Sequence, residues 1–455
     1  MRTGILSSLT LWIAGSSWAL GQAVPPVSLP VVSPPTFAST SVSDAGTSPA
    51  APLVPTETAS ASAAAEPTVA DPEPTCLPDP VPCQPCPPKQ KKCPPGMVWA
   101  SIDYILWWVE EAPIAIPLVT TGPPASLGIL GNFGTRVIFG NEDLDYSVIS
   151  GGRISLGVSN REHTLGLFGT VFMLEDKSAT FTPTSNPEGL PLLARPFINA
   201  VTGLETSLIS AAPGTASGGV NMGTDLFLWG AEANGVVQIY SDVMFSLDGL
   251  LGFQFLDLEE KLRMHSDFNL APGNSQSFFG QTFSFPAAFQ VHDAFHTKNY
   301  FYGGQVGVLT ELRCNRFYST FTARCGIGST HQTLTINGTS RVAGNGQILS
   351  VPGGLLAVAS NIGREDRNFF TVVPRGEVNV GYELTRWMRV YVGYTFIYWS
   401  SVIRPGMQLD RVVNLAQVPL SQFYGGEVDP IRPRSMFNPT DIWIQGVNFG
   451  LAVRY

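Results

Sequence analysis

Two short clusters, one of histidines and one of cysteines, contain the residues best suited to chemistry. The run His292-Asp293-Ala294-Phe295-His296 places two imidazoles four residues apart. On a helix such a pair shares one face and can bind zinc, with the acid between them as general base. The acid here is Asp293 rather than the usual Glu, and no third ligand follows at a motif distance. The pattern therefore favours two solvated or stacking histidines on an outer loop over a zinc site.

The cysteine cluster comprises Cys76, Cys83, Cys86 and Cys93, which lie together in a proline-rich stretch. Cys83 and Cys86 have the Cys-x-x-Cys spacing that offers two thiolates to one metal ion. No histidine follows Cys86, so covalent haem attachment is excluded by motif. In an exported chain, an even number of cysteines in such a segment more often forms disulfide bonds. We expect disulfides within or between chains; a metal site and no defined role are the alternatives.

The rest of the sequence contains no recognisable catalytic set. The acidic run around Asp143 and Asp145 lacks the Gly and Glu positions that an EF-hand calcium loop requires, which leaves a loose calcium contact or a solvated loop. No glycine-rich phosphate loop and no Ser–His–Asp set can be assembled. We therefore predict no catalytic residues, no cofactor and no metal, and we expect that the protein is not an enzyme.

Strands are the elements that must position any functional groups, because side-chain polarity alternates along much of the chain. The stretch 441–455 shows this most clearly, since one parity is apolar and the other is small or polar. The apolar parity carries Trp443, Val447, Phe449, Leu451, Val453 and Tyr455. A transmembrane β-barrel strand has this pattern, and a strand of a soluble sandwich is the alternative. The last four of these residues also resemble the C-terminal signal that bacterial outer-membrane barrels present to their assembly machinery.

The composition agrees with a barrel. Charged residues make up 13% of the chain, about half of the usual fraction of roughly a quarter. A net charge of −9 argues against nucleic acid as a partner.

The N-terminal part differs in composition from the remainder. Residues 1–23 have the features of a secretory signal peptide, with Arg2 before an apolar run and small residues near Ala19. Residues 24–96 are mostly Pro, Ala, Ser and Thr, so they bury too little apolar surface to offset their chain entropy. We expect residues 24–96 to be a disordered linker that carries the cysteine cluster, followed by a barrel at 97–455.

The alternation predicts about ten barrel strands. The candidate segments are 97–108, 147–158, 162–174, 223–239, 243–262, 299–313, 316–335, 369–383, 387–401 and 441–455. The gaps between them are alternately long and short, as in an outer-membrane barrel with short periplasmic turns and long outer loops. The count becomes twelve if residues 192–200 and part of 402–440 enter the wall. The predicted fold class is thus an all-β, closed antiparallel transmembrane barrel.

Charged residues recur on the parity that faces the barrel interior. The acidic members are Asp103, Glu232, Asp248, Glu311, Glu377 and Glu383. The basic members are Arg153, Arg313, Arg324, Arg375, Arg389 and Arg454. Because the two signs balance, we expect a structural ion-pair network rather than a selectivity ring of one sign. Barrels of eight strands are filled by side chains and open channels need about sixteen, so ten strands predict a narrow or plugged interior.

Several stretches resemble a known family. They are WASIDYILWW (99–108), PLVTTGPPASLGILGNFGTRVIFG (117–140), SGGRISLG (150–157) and LLARPFINAVTG (192–203). These resemble the planctomycete outer-membrane β-barrel family named BBP-seven, which is defined by a domain of unknown function. The resemblance covers roughly 97–455 and implies a location in the outer membrane of a Gram-negative-type envelope. It offers no catalytic or ligand-binding residues.

We predict from these features an outer-membrane barrel of structural or surface-interaction type. A narrow or gated channel for a small solute is the alternative, against which the balanced interior charges argue. The expected partners are outer-membrane lipid, the barrel-assembly machinery and a cell-wall or periplasmic component that contacts the linker.

Deletion of residues 24–95 tests the role of the linker. We expect the shortened chain to form the barrel but to lose its attachment to other envelope components, because the linker is the part long enough to reach them. Co-sedimentation with purified cell wall, compared between the two forms, measures this. Equal co-sedimentation would refute the linker hypothesis.

Overall fold

A closed antiparallel barrel of ten strands dominates the computed structural model, which describes residues 96–162 and 164–455. Strands are numbered in chain order. The wall strands are β1 (Met97–Val109), β4 (Val148–Ser159), β5 (Leu165–Leu174), β9 (Ala216–Ser241), β10 (Phe245–Leu270), β13 (Ala287–Cys314), β14 (Phe317–Gly344), β16 (Gly363–Glu383), β17 (Met388–Ile403) and β19 (Pro439–Arg454). Neighbours in this order pair with each other, and β19 pairs with β1 to close the ring. The predicted fold class is confirmed. The linker with its cysteines and the signal segment lie outside the described residues.

The remaining strands lie in the long connections. They are β2 (Ala112–Thr121), β3 (Arg136–Leu144), β6 (Lys177–Phe181), β7 (Leu193–Asn199), β8 (Glu205–Ala211), β11 (Ser275–Phe278), β12 (Gln281–Ser284), β15 (Gln347–Pro352) and β18 (Val412–Val413). Short 3-10 helices span Pro124–Ser126, Pro405–Gln408 and Leu415–Gln417. Within the described ranges, no helix is long and apolar enough to cross a membrane.

Strands β2, β3, β7, β8 and β18 form a second sheet that is separate from the wall. We call this sheet, together with the connections 353–362 and 404–438, the cap. The segment 192–200 and the part of 402–440 that forms β18 belong to the cap, so the alternative of twelve wall strands was wrong. The cap lies at the end of the barrel that carries the long loops, the long-loop end; the opposite end is the short-turn end.

Side chains along the wall alternate as the sequence predicted. On β17, Val392, Tyr394 and Phe396 are exposed on the outer surface, while Arg389 and Thr395 are buried inside. The C-terminal strand β19 follows the same rule, since Phe449, Leu451 and Val453 are exposed on its outer face, as is Tyr455 just after it. An apolar outer band is what contact with lipid requires.

Five wall strands, from β9 to β16, are much longer than the alternation predicted. A membrane crossing needs about 9–11 residues, whereas β13 and β14 each have 28 residues. The polarity pattern inverts along these extensions. On β13, His292 and His296 face outward, whereas Val291 and Phe295 face the interior and are fully buried. The prediction that 292–296 is a loop was therefore wrong. The strand continues through these residues with polar side chains outward and apolar side chains inward, which is the reverse of the lipid-facing pattern that predicts a barrel strand.

A layer of apolar side chains fills the interior at mid-height. Trp107, Phe301 and Trp399 are each 0% exposed and belong to one buried cluster with residues from most wall strands. The rings of Phe301 and Trp399 lie 6.2 Å apart, although two other strands separate β13 from β17 in the wall. We call this cluster the apolar layer. It fills the ring as a core rather than lining a pore.

Replacement of Phe301 by Ala tests whether the apolar layer is a packed core. We expect the free energy of unfolding to fall by about 3–5 kcal/mol, because a large buried ring leaves a cavity. Urea unfolding of the refolded barrel in detergent micelles, followed by tryptophan fluorescence, measures this. The control Phe133→Ala, at a side chain that is 96% exposed, should change the value by no more than about 0.5 kcal/mol. Equal stability of Phe301→Ala and the control would contradict a packed layer.

Candidate functional site

The charged residues of the interior meet between the apolar layer and the short-turn end. Arg153 lies between two carboxylates, at 3.1 Å from Asp103 and 2.9 Å from Glu377. Asp103 and Arg153 are directly opposite each other on β1 and β4, so the strand register itself creates their bidentate contact. All three side chains are buried. Paired charges of this kind are retained in an interior because each ion compensates the other.

Two further arginines extend this network. Arg324 and Arg375 are directly opposite each other on β14 and β16, an arrangement of like charges that is unfavourable by itself. Both approach the same two carboxylates, Glu232 and Glu377. Arg375 lies 3.6 Å from Glu232 and 3.4 Å from Glu377, and Arg324 forms ion pairs with both. The Nε atom of each arginine has no hydrogen-bond partner.

The rim at the short-turn end carries the rest of the predicted charges. Glu311 pairs with Arg389 at 3.1 Å and with Arg313 at 2.8 Å, and Arg389 also pairs with Glu383. Asp248 and Arg454 differ from these, since neither forms an ion pair with another described residue. The structure thus brings ten of the predicted residues into ion pairs and leaves Asp248 and Arg454 outside them.

These charges surround a cavity of about 590 Å³. Its lining includes the deep residues Arg324, Arg375 and Glu377 and reaches the rim at Glu383 and Arg454. The apolar layer lies beyond it, towards the long-loop end. The volume falls within the range of about 300–1,000 Å³ that is usual for small-molecule sites. The cavity is the candidate functional site of the barrel.

Two buried ion pairs attach the cap to the extended wall. Arg195 on β7 lies 2.7 Å from Asp293 on β13, and both side chains are at most 1% exposed. The other carboxylate oxygen of Asp293 accepts backbone N–H groups from Leu355, Leu356 and Ala357 at 2.7–2.9 Å. Asp293, the acid that a zinc motif would use as general base, is therefore an acceptor that holds the connection 353–362.

The second buried pair joins Arg404, just before the helix Pro405–Gln408, to Glu260 on β10 at 2.8 Å. The same guanidinium donates to the backbone carbonyls of Glu110 and Glu111. Sequence reasoning missed these contacts. Glu260 lies on the same inward-facing parity as Asp248, so its inward position could have been predicted. Arg404 lies in a connection without alternating polarity, so no pattern in the sequence indicates its contact.

The two histidines of the motif lie on the outer face of the extended wall, beyond the aromatic residues Trp229 and Tyr302. His296 Nε2 is 2.8 Å from Glu259, and burial lowers the pKa of this histidine despite the neighbouring carboxylate. Partial burial opposes ionisation of Glu259, but hydrogen bonds from Lys261 and Lys298 and the charge of His296 outweigh it and lower its pKa to about 2. The ring of His292 instead faces His265, with centroids 6.0 Å apart.

In the described ranges, no group of three or more His, Cys, Asp or Glu side chains is arranged to hold a metal ion. This includes the acidic run near Asp143. Asp145 there accepts the backbone N–H of Ser147 at 2.6 Å, which closes a local turn.

Comparison with known proteins identifies the class. Residues 99–455 match the family described as Putative beta barrel porin-7 (BBP7). The chain belongs to this family, as the resemblance of its sequence stretches implied. It is an outer-membrane porin-like β-barrel by family, and the family implies an outer-membrane location. No curated protein matches the chain.

The comparison with solved structures finds outer-membrane proteins at low similarity. The outer membrane protease OmpT from Escherichia coli is 10% identical, with a TM-score of 0.37, over 79% of this chain and 97% of that one. A Pseudomonas aeruginosa FadL homologue is 7% identical, with a TM-score of 0.24, over 79% and 90%. The P. putida toluene transporter TodX is also 7% identical, with a TM-score of 0.17, over 79% and 89%. At these scores the likenesses assign no activity to this chain.

The first of these structures corrects one prediction. We expected from the sequence that the protein is not an enzyme, on the ground that no catalytic set is visible. A protease is among the similar barrels, so a fold of this kind does not exclude catalysis, and the exclusion was wrong.

Replacement of Asp293 by Asn tests the attachment of the cap. Because Arg195 would remain buried without its counter-ion, we expect the free energy of unfolding to fall by about 3–5 kcal/mol. The matched control is Glu365→Gln, which breaks a pair with Arg367 whose side chains are 46% and 50% exposed and should leave stability unchanged. Urea unfolding in detergent micelles measures both variants. A loss no larger than that of the control would show that the pair does not hold the cap.

Proposed function

We propose that the protein is an outer-membrane β-barrel of structural or surface-interaction type. The single observation that carries this proposal is the apolar layer, because fully buried side chains occupy the barrel interior where a porin has its aqueous passage. A barrel with a filled interior serves as a membrane anchor for the surface that its loops carry.

The cap supports the same conclusion because it is a folded unit rather than a set of loose loops. It has its own sheet, a buried apolar cluster shared with the extended wall, and the buried pairs of Arg195 and Arg404. Building these contacts costs desolvation and chain entropy, which is consistent with a surface that has to keep one shape.

The cap also exposes apolar side chains in the connections between its strands. Phe133 is 96% exposed, Val201 is 66% exposed and Leu204 is 68% exposed. The hydroxyl of Ser207 on β8 donates to the carbonyl of Leu127 at 2.6 Å, which ties the β7–β8 hairpin to the connection that carries Phe133. Exposed apolar groups on a rigid support are typical of a contact surface.

The proposed orientation places the cap outside the cell and the short turns on the periplasmic side, as in other outer-membrane barrels. The first described residues, Gly96 and Met97, then lie on the periplasmic side. A linker contact with a cell-wall or periplasmic component fits this orientation. The outer band of apolar side chains contacts lipid, and the outward residues near Tyr455 are available to the assembly machinery.

A narrow or gated channel is the second candidate. The family description as a porin and the cavity at the short-turn end favour it. Conduction would require the apolar layer to rearrange, because most of its residues come from the wall strands themselves and not from a removable loop.

Single-channel conductance in a planar bilayer separates the two functions. We expect the refolded protein to give no steady conductance, because the apolar layer leaves no continuous aqueous path. Heat-modifiable gel migration of the same sample shows that the barrel is folded. Steady conductance of the folded barrel would overturn the anchor proposal and support the channel.

A further inference from the structure

We propose that the cavity at the short-turn end is a binding site for a small amphoteric solute, a molecule that carries both a carboxylate and an ammonium group. The inference goes beyond the proposed anchor function, since a barrel without a through-passage can bind a solute from one side. It rests on charges of both signs that line one cavity and form no ion pair within the described part of the chain.

The first observation concerns the rim. Asp248 and Arg454 both line the cavity, and neither forms an ion pair with another described residue, although the ten other interior charges do. Asp248 is half-buried, where Glu311 and Arg313 are its charged neighbours. Glu311 is already engaged by Arg313 and Arg389. One acid and one base are thus left to interact with a ligand.

The second observation concerns the depth of the cavity. Arg324 and Arg375 line it and are 8% and 4% exposed, and the Nε atom of each lacks a hydrogen-bond partner. A buried donor without an acceptor is unfavourable by about 1–3 kcal/mol, and by more for a charged group. A ligand whose carboxylate meets Arg454 could supply carbonyl oxygens as acceptors for these guanidinium groups.

The remaining lining excludes ligands of a single charge. A purely anionic molecule meets Glu232 and Glu377, which lie beside the two arginines. A purely cationic molecule meets Arg324 and Arg375 themselves. Only a molecule with both charges gains an oppositely charged partner at each end, so that every close like charge is compensated.

Part of the cavity lining is uncharged. It carries the hydroxyls of Ser155 and Thr170 and the amide of Gln238. The rings of Trp99 on β1 and Phe168 on β5 also line the cavity, with centroids 6.0 Å apart. This surface suits an uncharged backbone or a small apolar group between the two ends of the ligand. A short peptide has this combination of groups.

The test uses the full chain, refolded in detergent micelles, and the dipeptide alanyl-alanine at neutral pH. Isothermal titration calorimetry should show saturable binding. N-acetylated alanyl-alanine lacks the ammonium group and the C-terminal amide lacks the carboxylate, so each should bind about tenfold more weakly or worse. Heat-modifiable migration confirms that every sample contains a folded barrel.

Two variants assign the charged contacts. Asp248→Asn should weaken binding of alanyl-alanine about tenfold while leaving the binding of its N-acetylated form unchanged. Arg454→Gln should weaken the dipeptide similarly while sparing the C-terminal amide. Glu365→Gln, on the extended wall away from the cavity lining, is the control and should bind as the unaltered chain does.

Three results would overturn the proposal: no saturable binding of the dipeptide, equal binding of the dipeptide and both blocked forms, or unchanged binding in both variants. The first would mean that water alone occupies the cavity. If Arg454→Gln fails to fold, Asp248→Asn decides the matter by itself, because Asp248 is only partly buried and its replacement should leave the fold intact. None of these results depends on conductance, so the anchor proposal can stand or fall separately.

Discussion

The pairing of β1 with β19 is the interaction on which the rest of the structure depends. It joins the first and last wall strands over eleven residue pairs, from Trp99 with Arg454 to Val109 with Ile444. Within lipid, a backbone N–H or C=O group without a partner costs several kcal/mol, so a wall with two open edges is not viable there. Closure satisfies both edges at once. It also fixes which parity of every strand faces inward, and so determines the contents of the interior.

A ring of ten strands encloses a volume that its own side chains can fill, and this chain fills it in two ways. Towards the short-turn end, the register brings Asp103 opposite Arg153 and Arg324 opposite Arg375, so charges must be shared with Glu377 and Glu232. At mid-height, Trp107 and Trp399 complete an apolar layer, and each indole N–H reaches a polar partner, Asn448 and Thr330 respectively. The polar half retains a cavity, whereas the apolar half is packed.

The extended wall explains how a membrane barrel can hold a folded cap. Strands β10 and β13 continue well beyond the length of a membrane crossing, and there they reverse the direction in which their apolar side chains point. The interior face becomes a hydrophobic surface that the cap covers, with Asp293 and Glu260 as fixed acceptors for its two arginines. The outer face carries charged and histidine side chains such as Glu259 and His296. The same strands thus anchor the protein in the membrane and hold the cap at its surface, which links the fold to the proposed surface role.

The sequence by itself determined the barrel, because lipid on one side and a filled interior on the other impose a period of two that is visible in single strands such as 387–401. It also placed the charges of both signs on the inward parity, since parity is a local property. It failed at 292–296 and in the cap, where polarity inverts or periodicity is absent and the pairing partners lie far apart in the chain. Only the tertiary structure decided that Arg195 meets Asp293 and that Asp248 and Arg454 find no ion-pair partner among residues 96–162 and 164–455. Which charge finds a partner depends on closure and register across the ring, and no local pattern in the chain encodes those distances.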